Sequence, residues 1–309
     1  MSDFKNIHFV INPAAGQPEP ILHTINKVLY PHDIEWHLSL TKADGDGQRL
    51  ARKAISDGAD LVVSYGGDGT VKDVINGLLD SDVPLAILHG GTGNAVAFEL
   101  GIPKPLEQSV ELIVSEHQLR SVDVGKVICD DEPDKIGYFM LRMSMGLQTK
   151  ILETASRELK TQYGNWAYVM ASLREMRESQ NETYQFVIDD KTVEQGGLTA
   201  LIANSAHVGG QLNHSIAPTV NPSDGLLDVL VLDDSFDSAV KMLGSALELD
   251  GFEFAQHWRG KSIQVNAPEG QLITLDGEIF GHTPAHVDIM ADAVQVVVPL
   301  DHEEKGDDN

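Results

Sequence analysis

The chain has a single cysteine, Cys129, among 309 residues, which excludes an internal disulfide. Basic residues are scarce as well: 22 Lys and Arg face 47 Asp and Glu, for a formal charge of -25. That balance excludes nucleic acid as a partner, because such binding rests on a basic footprint. It also excludes stable adsorption to an anionic bilayer through a broad cationic face, while leaving transient lipid access through a local apolar patch. No apolar run reaches the roughly 20 residues of a membrane-spanning helix. The opening segment MSDFKNIHFVINPAAG enters an apolar strand without the basic, apolar and small-residue series of a secretion signal. The expectation is a cytoplasmic protein with no transmembrane segment. The acidic surplus suits a salty interior, where screening weakens self-repulsion, and an unfolding midpoint that rises with salt would check that idea. No internal repeat or coiled-coil heptad is present, and His207, His214, His282 and His286 fall in expected loops without a metal-ligand spacing.

What the chain does have is glycine at particular places. In VVSYGGDGTVKDVINGL, Leu61 to Val63 read as a buried strand, and Val71, Val74, Ile75 and Leu78 share one helical face. Three glycines and a carboxylate lie in the turn between them, Gly66 to Thr70. A plain strand-to-helix turn seldom needs so many glycines, although Asp68 or Thr70 would also serve as a simple helix cap.

The first 120 residues alternate strand and helix. Strands are expected at Ile7–Ile11, Ile34–Leu40, Leu61–Tyr65 and Leu85–Leu88, with helices at Ile21–Leu29, Arg49–Gly58, Val71–Leu79 and Ser109–Glu116. This pattern predicts a parallel sheet covered on both faces. From about Ser121, short alternating runs appear at 120–127, 137–143, 184–187, 197–204, 227–232, 261–266, 272–276 and 287–289. They favour an antiparallel sandwich or distorted barrel, interrupted by helices at 149–157, 165–180 and 235–248. Met140, Met143 and Met145 suit its core. The expected division is an α/β domain at 1–120, a β-rich domain at 121–293 and an acidic, disordered tail at 301–309. The run 294–300 either completes the first domain or closes the second sheet.

Three junctions share one design: NPAAG at Asn12–Gly16, GGDGT at Gly66–Thr70 and GGTGN at Gly90–Asn94. In an open sheet such neighbouring loops converge over one ligand, and their amides suit phosphates. None matches the GxxxxGKS/T loop or the dinucleotide fingerprint. Asn12 and Asn94 would also serve as side-chain turns. A lone carboxylate beside phosphate is unfavourable, so Asp68 implies magnesium, a donor hydroxyl or both. Further acids stand at Asp123, Asp224, Asp228, Asp276 and Glu278. Asp276 and Glu278 share a side if their strand persists, whereas Gly277 would instead make LDGE a hairpin turn.

NPAAG, GGDGT, GGTGN, KTQYGNWAY at 160–168, SDGLLDV and LDGE occur in the order seen in the diacylglycerol kinase catalytic family, which also holds bacterial lipid kinases and sphingosine kinases. The chain resembles that family from Ile7 to about Leu300. GGDGT alone is shared with nicotinamide nucleotide kinases and is similar to a phosphofructokinase signature, and the later motifs narrow the match. The resemblance implies a phosphofructokinase-like nucleotide-binding domain followed by a β-rich, sandwich-like domain, with ATP and lipid meeting in the cleft between.

By the same resemblance, Asn12, Gly16, Thr41, Gly66, Gly67, Asp68, Gly69, Thr70, Gly91, Thr92, Gly93 and Asn94 would line the nucleotide site. Glu278 would be the general base toward the lipid hydroxyl, with Asp68, Asp123 and Asp276 positioning Mg2+, water and acceptor; the base role stays open between Glu278 and Asp68. Lys160 would face phosphate or a charged lipid head. Asp224, with the carbonyls of Asn221 and Leu226, would hold a second, structural magnesium, while Asp228 reads equally well as a solubilising strand residue. Two departures stand out: Ala95 replaces the acid that many members carry after the GTGN asparagine, and NPAAGQPEP lacks their serine and nearby base. The expected function is ATP-dependent phosphorylation of a lipid hydroxyl at a membrane surface, with diacylglycerol or a related neutral lipid as acceptor. The alternatives are a nicotinamide nucleotide kinase and a non-catalytic nucleotide- or lipid-binding regulator. Pairing into a homodimer is left open.

Overall fold

The computed structural model describes residues 4–16, 19–146, 182–205, 220–232, 255–267 and 270–300. Lys160 with its KTQYGNWAY segment, the helices expected at 149–157, 165–180 and 235–248, His207, His214 and the tail lie outside these residues. The chain divides into two compact units, one holding residues up to Val122 and again from Asp292 onward, the other running between them.

In the first unit, β1 (Asn6–Ile11), α1 (Ile21–Leu29), β2 (Glu35–Leu40), α2 (Asp46–Ser56), β3 (Leu61–Gly66), α3 (Asp68–Leu78) and β4 (Leu85–His89) alternate as the two hydrophobic periods require. A short α4 (Ala95–Glu99) and α5 (Leu106–Val114) follow. The strands pair in parallel in the order β2-β1-β3-β4, with Ile7 opposite Leu61 and Val62 opposite Leu85. Such a sheet is apolar throughout, and every residue of β3 and β4 is buried. The β1-to-β2 and β2-to-β3 crossovers run in opposite directions, so right-handed connections put α1 and α2 on opposite faces. Accordingly α1 packs with α5 and α2 with α3. The reversal occurs between β1 and β3, which makes their C-terminal ends the switch point where ligands bind in sheets of this kind.

The chain leaves this unit along β5 (Gln118–Cys129). The second unit contains β6 (Ile136–Phe139), β7 (Arg142–Gly146), β8 (Glu182–Ile188), β9 (Lys191–Gly197), β10 (Thr199–Ala203), β11 (Leu227–Leu232), β12 (Ala255–Gly260), β13 (Ser262–Asn266), β14 (Leu272–Leu275) and β15 (Glu278–His282). The long β16 (Ala285–Val298) begins here and ends in the first unit, where Val296 lies parallel to Leu85 of β4. One antiparallel sheet has the order β12-β11-β10-β7-β14-β15; facing it, the early part of β16 pairs with β13, which continues to β8 and β9. Alternate residues meet between the layers: Phe139, Phe186, Ile263 and Val287 from one side, Met143, Met145, Ile202 and Ile273 from the other. The fold is therefore an α/β unit followed by a β-rich sandwich, as the sequence pattern implies.

Several local expectations change. The GGDGT turn is shorter than expected, because α3 already begins at Asp68. The run 137–143 is two strands, since the amides of Met140, Leu141 and Arg142 leave the ladder for the Asp276 carboxylate. LDGE is a hairpin: Asp276 and Gly277 have φ of 50° and 85°, and Glu278 stands opposite Leu275, so Asp276 and Glu278 do not share one continuous strand. Asp228 does not solubilise its strand but is fully buried. His282 and His286 lie in strands, each 3.5 Å from an aspartate, Asp131 and Asp130 respectively.

Candidate active site

In the first unit the three glycine loops are tied to one another by backbone and side-chain hydrogen bonds. The Asn12 amide donates to Tyr65 O at 2.9 Å, and the Gly90 amide to Gly66 O at 3.0 Å, extending the ladder beyond the strand ends. Asn12 does two things at once: its Oδ1 accepts the Ala14 amide at 3.0 Å, and its Nδ2 donates to Thr70 Oγ1 at 3.2 Å. Thr41, at the end of β2, is held beside this loop by its amide on Ile11 O at 2.9 Å. Gly16 has φ of 71°, and a Cβ there would run into the Gly90 carbonyl oxygen. A Cβ on Gly91 would run into Gly67 Cα, so the second and third loops touch backbone to backbone. Gly69 and Thr92 are exposed at the surface of this cluster.

Asp68 lies at the centre of the arrangement. Its carboxylate belongs to the first turn of α3, yet its Oδ1 accepts the Val96 amide at 3.1 Å and so caps the start of α4. Burial pushes its pKa above the usual carboxylate value, against the amides of Val96, Ala95, its own residue and Asn94, which favour the charged form. Asn94 adopts φ of 51° and closes its loop by exchanging two side-chain bonds with Gly91, at 2.9 and 2.7 Å. A Cβ on Gly93 would stand 2.8 Å from Asp68 Oδ2, so Gly93 leaves that oxygen room. His89, which sequence reasoning missed, pins the other end of α4: its Nε2 lies 3.0 Å from Ile102 O, and its ring meets Phe98 edge-on. The carbonyl partner makes Nε2 the protonated nitrogen, and burial lowers the pKa of the ring.

The second unit carries a frame of buried polar groups. Asp276 accepts the amides of Met140, Leu141 and Arg142, each at 2.9 Å, and its own amide donates to Arg142 O at 2.9 Å. Asp123, almost fully buried, accepts the Gly225 amide at 2.7 Å, and its amide donates to Pro222 O at 2.7 Å. Asn204 joins the two acids: its Nδ2 donates to Asp123 O at 2.8 Å and to Met140 O at 3.0 Å. Glu278 is exposed where β15 leaves the tight turn. The structure thus gathers Asp123, Asn204 and Asp276 into one network and presents Glu278 beside it in the chain. Only the amide that ends the apolar run TALIAN hinted at Asn204.

Asp224, Asn221 and Leu226 lie in the turn that precedes β11. Asp224 Oδ1 accepts the Leu226 amide at 3.1 Å, Oδ2 is bonded by the Arg259 guanidinium, and Asn221 Oδ1 accepts the Ser223 amide at 3.1 Å. Among the described residues, no three His, Cys, Asp or Glu side chains converge as a metal centre.

Comparison with known proteins agrees with this geometry. The family model of the diacylglycerol kinase catalytic domain matches residues 6–127, and that of the YegS C-terminal NAD kinase beta sandwich-like domain matches residues 142–298. A diacylglycerol kinase of Mycobacterium tuberculosis is 29% identical over 263 residues, covering 82% of each chain. A candidate lipid kinase of Staphylococcus haemolyticus is 26% identical, covering 84% of this chain and 85% of its own. A candidate diacylglycerol kinase from Bacillus anthracis superimposes with a TM-score of 0.80 at 25% identity, covering 97% of both chains. The two family models together span both units, and the chain belongs to the diacylglycerol kinase catalytic family, in its bacterial lipid kinase branch.

Proposed function

We propose that the protein is an ATP-dependent lipid kinase acting on the hydroxyl of diacylglycerol or a related neutral lipid, met transiently at a membrane surface. The convergence of the NPAAG, GGDGT and GGTGN loops at the switch point of the first unit carries this reading. The Gly69 amide at the start of α3 and the amides of Thr92 and Gly93 suit phosphate oxygens. Asn12, Gly16, Thr41, Gly66–Thr70 and Gly91–Asn94 form the proposed nucleotide site. Lys160 would face phosphate or a charged lipid head.

A lone carboxylate among phosphate-shaped loops fits a magnesium ion of the usual kind, held by Asp68 and the nucleotide's own phosphates. When bound, that ion neutralises charge on the phosphates. The acceptor oxygen bonds to the terminal phosphorus as the bond from that phosphorus to its bridging oxygen breaks, and ADP leaves with the bridging oxygen. Glu278 takes the hydroxyl proton. Its exposed position supports this role, whereas Asp276 is committed to backbone amides and Asp68, with Oδ1 on the Val96 amide, serves the magnesium. Asp123 and Asp276 act as positioning residues, because alignment and charge are what phosphoryl transfer asks of a protein.

The likeness of the second domain to an NAD kinase sandwich favours one other reading, a nicotinamide nucleotide kinase. Offering NAD and dispersed diacylglycerol in parallel with labelled ATP separates the two: label in the lipid supports the proposal, and label in NADP alone rejects it.

A further inference from the structure

β15 is the last strand of its sheet, and its ladder with β14 is irregular. Leu275 stands opposite Glu278, Thr274 opposite Ile279 and Ile273 opposite Gly281, so Phe280 is an extra residue that no residue of β14 opposes. That is a β-bulge. The turn between β5 and β6 grips the strand at this point. Lys135 Nζ donates to Phe280 O at 2.6 Å and to Glu132 Oε2 at 2.7 Å, and it lies 4.7 Å from the centre of the Phe280 ring. Gly137 leaves the ring its place, since a Cβ there would run into both Phe280 and Leu275. One residue further along β15, a Cβ on Gly281 would run into the buried Cys129 Sγ, and the Asp130 amide donates to Pro284 O at 3.0 Å. The far end of β15 is therefore anchored independently of the hairpin at its start.

We infer that Lys135 is a positioning residue for Glu278, because it holds the bulge that decides which face of the sheet Glu278 occupies. With Gly281 kept opposite Ile273, a ladder without the bulge would pair Phe280 with Thr274, Ile279 with Leu275 and Glu278 with Asp276. A slip of one residue turns each of these side chains to the other face, and it would draw Glu278 into the tight turn. A bulged residue has its carbonyl out of the ladder, so the register is held only where that carbonyl finds another donor. An ammonium suits the place: it has three hydrogens to divide between the Phe280 carbonyl and the Glu132 carboxylate, and its charge is drawn to the face of the Phe280 ring. Glu132 lies three residues before Lys135, whose own amide donates to Glu132 O at 3.0 Å, so a short closed turn presents the cation. The inference rests on the lipid-kinase reading for what Glu278 does, and on geometry alone for where it stands.

The test compares wild type with Lys135→Met, which keeps the length of the side chain without a donor, and with Lys135→Arg, which restores one. Hydrogen exchange of residues 278–282, read by mass spectrometry on the full chain without nucleotide, should quicken in Lys135→Met and return toward wild type in Lys135→Arg. With labelled ATP and dispersed diacylglycerol, Lys135→Met should lose about tenfold or more in kcat at an unchanged KM for ATP, as a displaced proton acceptor requires. In a Glu278→Gln background the same substitution should cost nothing further, since the group it positions is gone. Wild-type kcat in Lys135→Met, an equal loss in the Glu278→Gln background, or unchanged exchange at 278–282 would overturn the inference. If Lys135→Met does not fold, Lys135→Gln, which keeps a donor without the charge, takes its place in each comparison. A wild type that phosphorylates no lipid would instead reject the kinase reading, and the exchange at 278–282 would then decide alone whether Lys135 holds the bulge.

Discussion

Asp68 Oδ1 accepts the backbone amide hydrogen of Val96 at 3.1 Å, joining the first turn of α3 to the first turn of α4. The acid of the GGDGT loop thereby fixes the GGTGN loop, and a residue proposed for phosphate chemistry also shapes the site in which that chemistry occurs. The first turn of α4 has no acid of its own, and Asp68 supplies a negative charge from the side.

Asp68→Asn should lower turnover by about 10²-fold or more, because the amide removes the charge that organises the phosphates. The fold should survive, since the asparagine oxygen still accepts the Val96 amide. Steady-state kinetics beside a urea unfolding curve checks both parts. Near-normal turnover would reject the placement of Asp68 in the chemistry.

The same substitution gives a pH signature. Burial raises the folded pKa of Asp68 above its ordinary 3.8, so its favourable contribution is complete below that value and is lost as pH rises through the folded pKa. Stability of Asp68→Asn relative to wild type should therefore climb across that window and stay flat outside it. Urea midpoints at a series of pH values would show this, and a relative stability falling with pH would contradict it.

The glycine loops were legible in the sequence because an apolar run ending in glycine is a strand meeting a turn, whatever packs on it later. The order of an α/β unit and a β-rich unit was legible for the same reason: periodicity is local. The work done by Asp276 was not, because its partners lie 134 to 136 residues away. β12, AQHWRG, shows no clear alternation, and Arg259 within it reads as a solvated base until β11 places Asp228 opposite. Asp228 itself reads as a surface acid in an alternating strand, yet the face it points to is buried.

Asp276→Ala should destabilise the protein by about 3 kcal/mol or more, since it strips a charged acceptor from three amides. Asp276→Asn should cost less, because one oxygen remains. Chemical denaturation compares the two, and equal losses would show that the one oxygen asparagine keeps contributes nothing once the charge is gone.

Gly91→Ala should cost about 1–3 kcal/mol and weaken ATP binding, because the new Cβ would push the GGTGN backbone away from Gly67. Calorimetric titration with ATP reads the second effect. Unchanged affinity would mean that the close contact of these loops does not shape the nucleotide site.

Glu278→Gln should reduce turnover by about 10²-fold or more while leaving ATP affinity near wild type, as expected for loss of a proton acceptor. Kinetics and calorimetry on the same preparation separate these effects. A matching loss in ATP affinity would move Glu278 from proton transfer to nucleotide binding.

The most direct measurement is transfer of label from γ-labelled ATP into total extracted membrane lipids, run with wild type and Asp68→Asn side by side. The lipid-kinase account predicts a magnesium-dependent phosphorylated lipid from the wild type and little or none from the variant. A folded wild-type protein that binds ATP yet labels no lipid across the whole extract would contradict it.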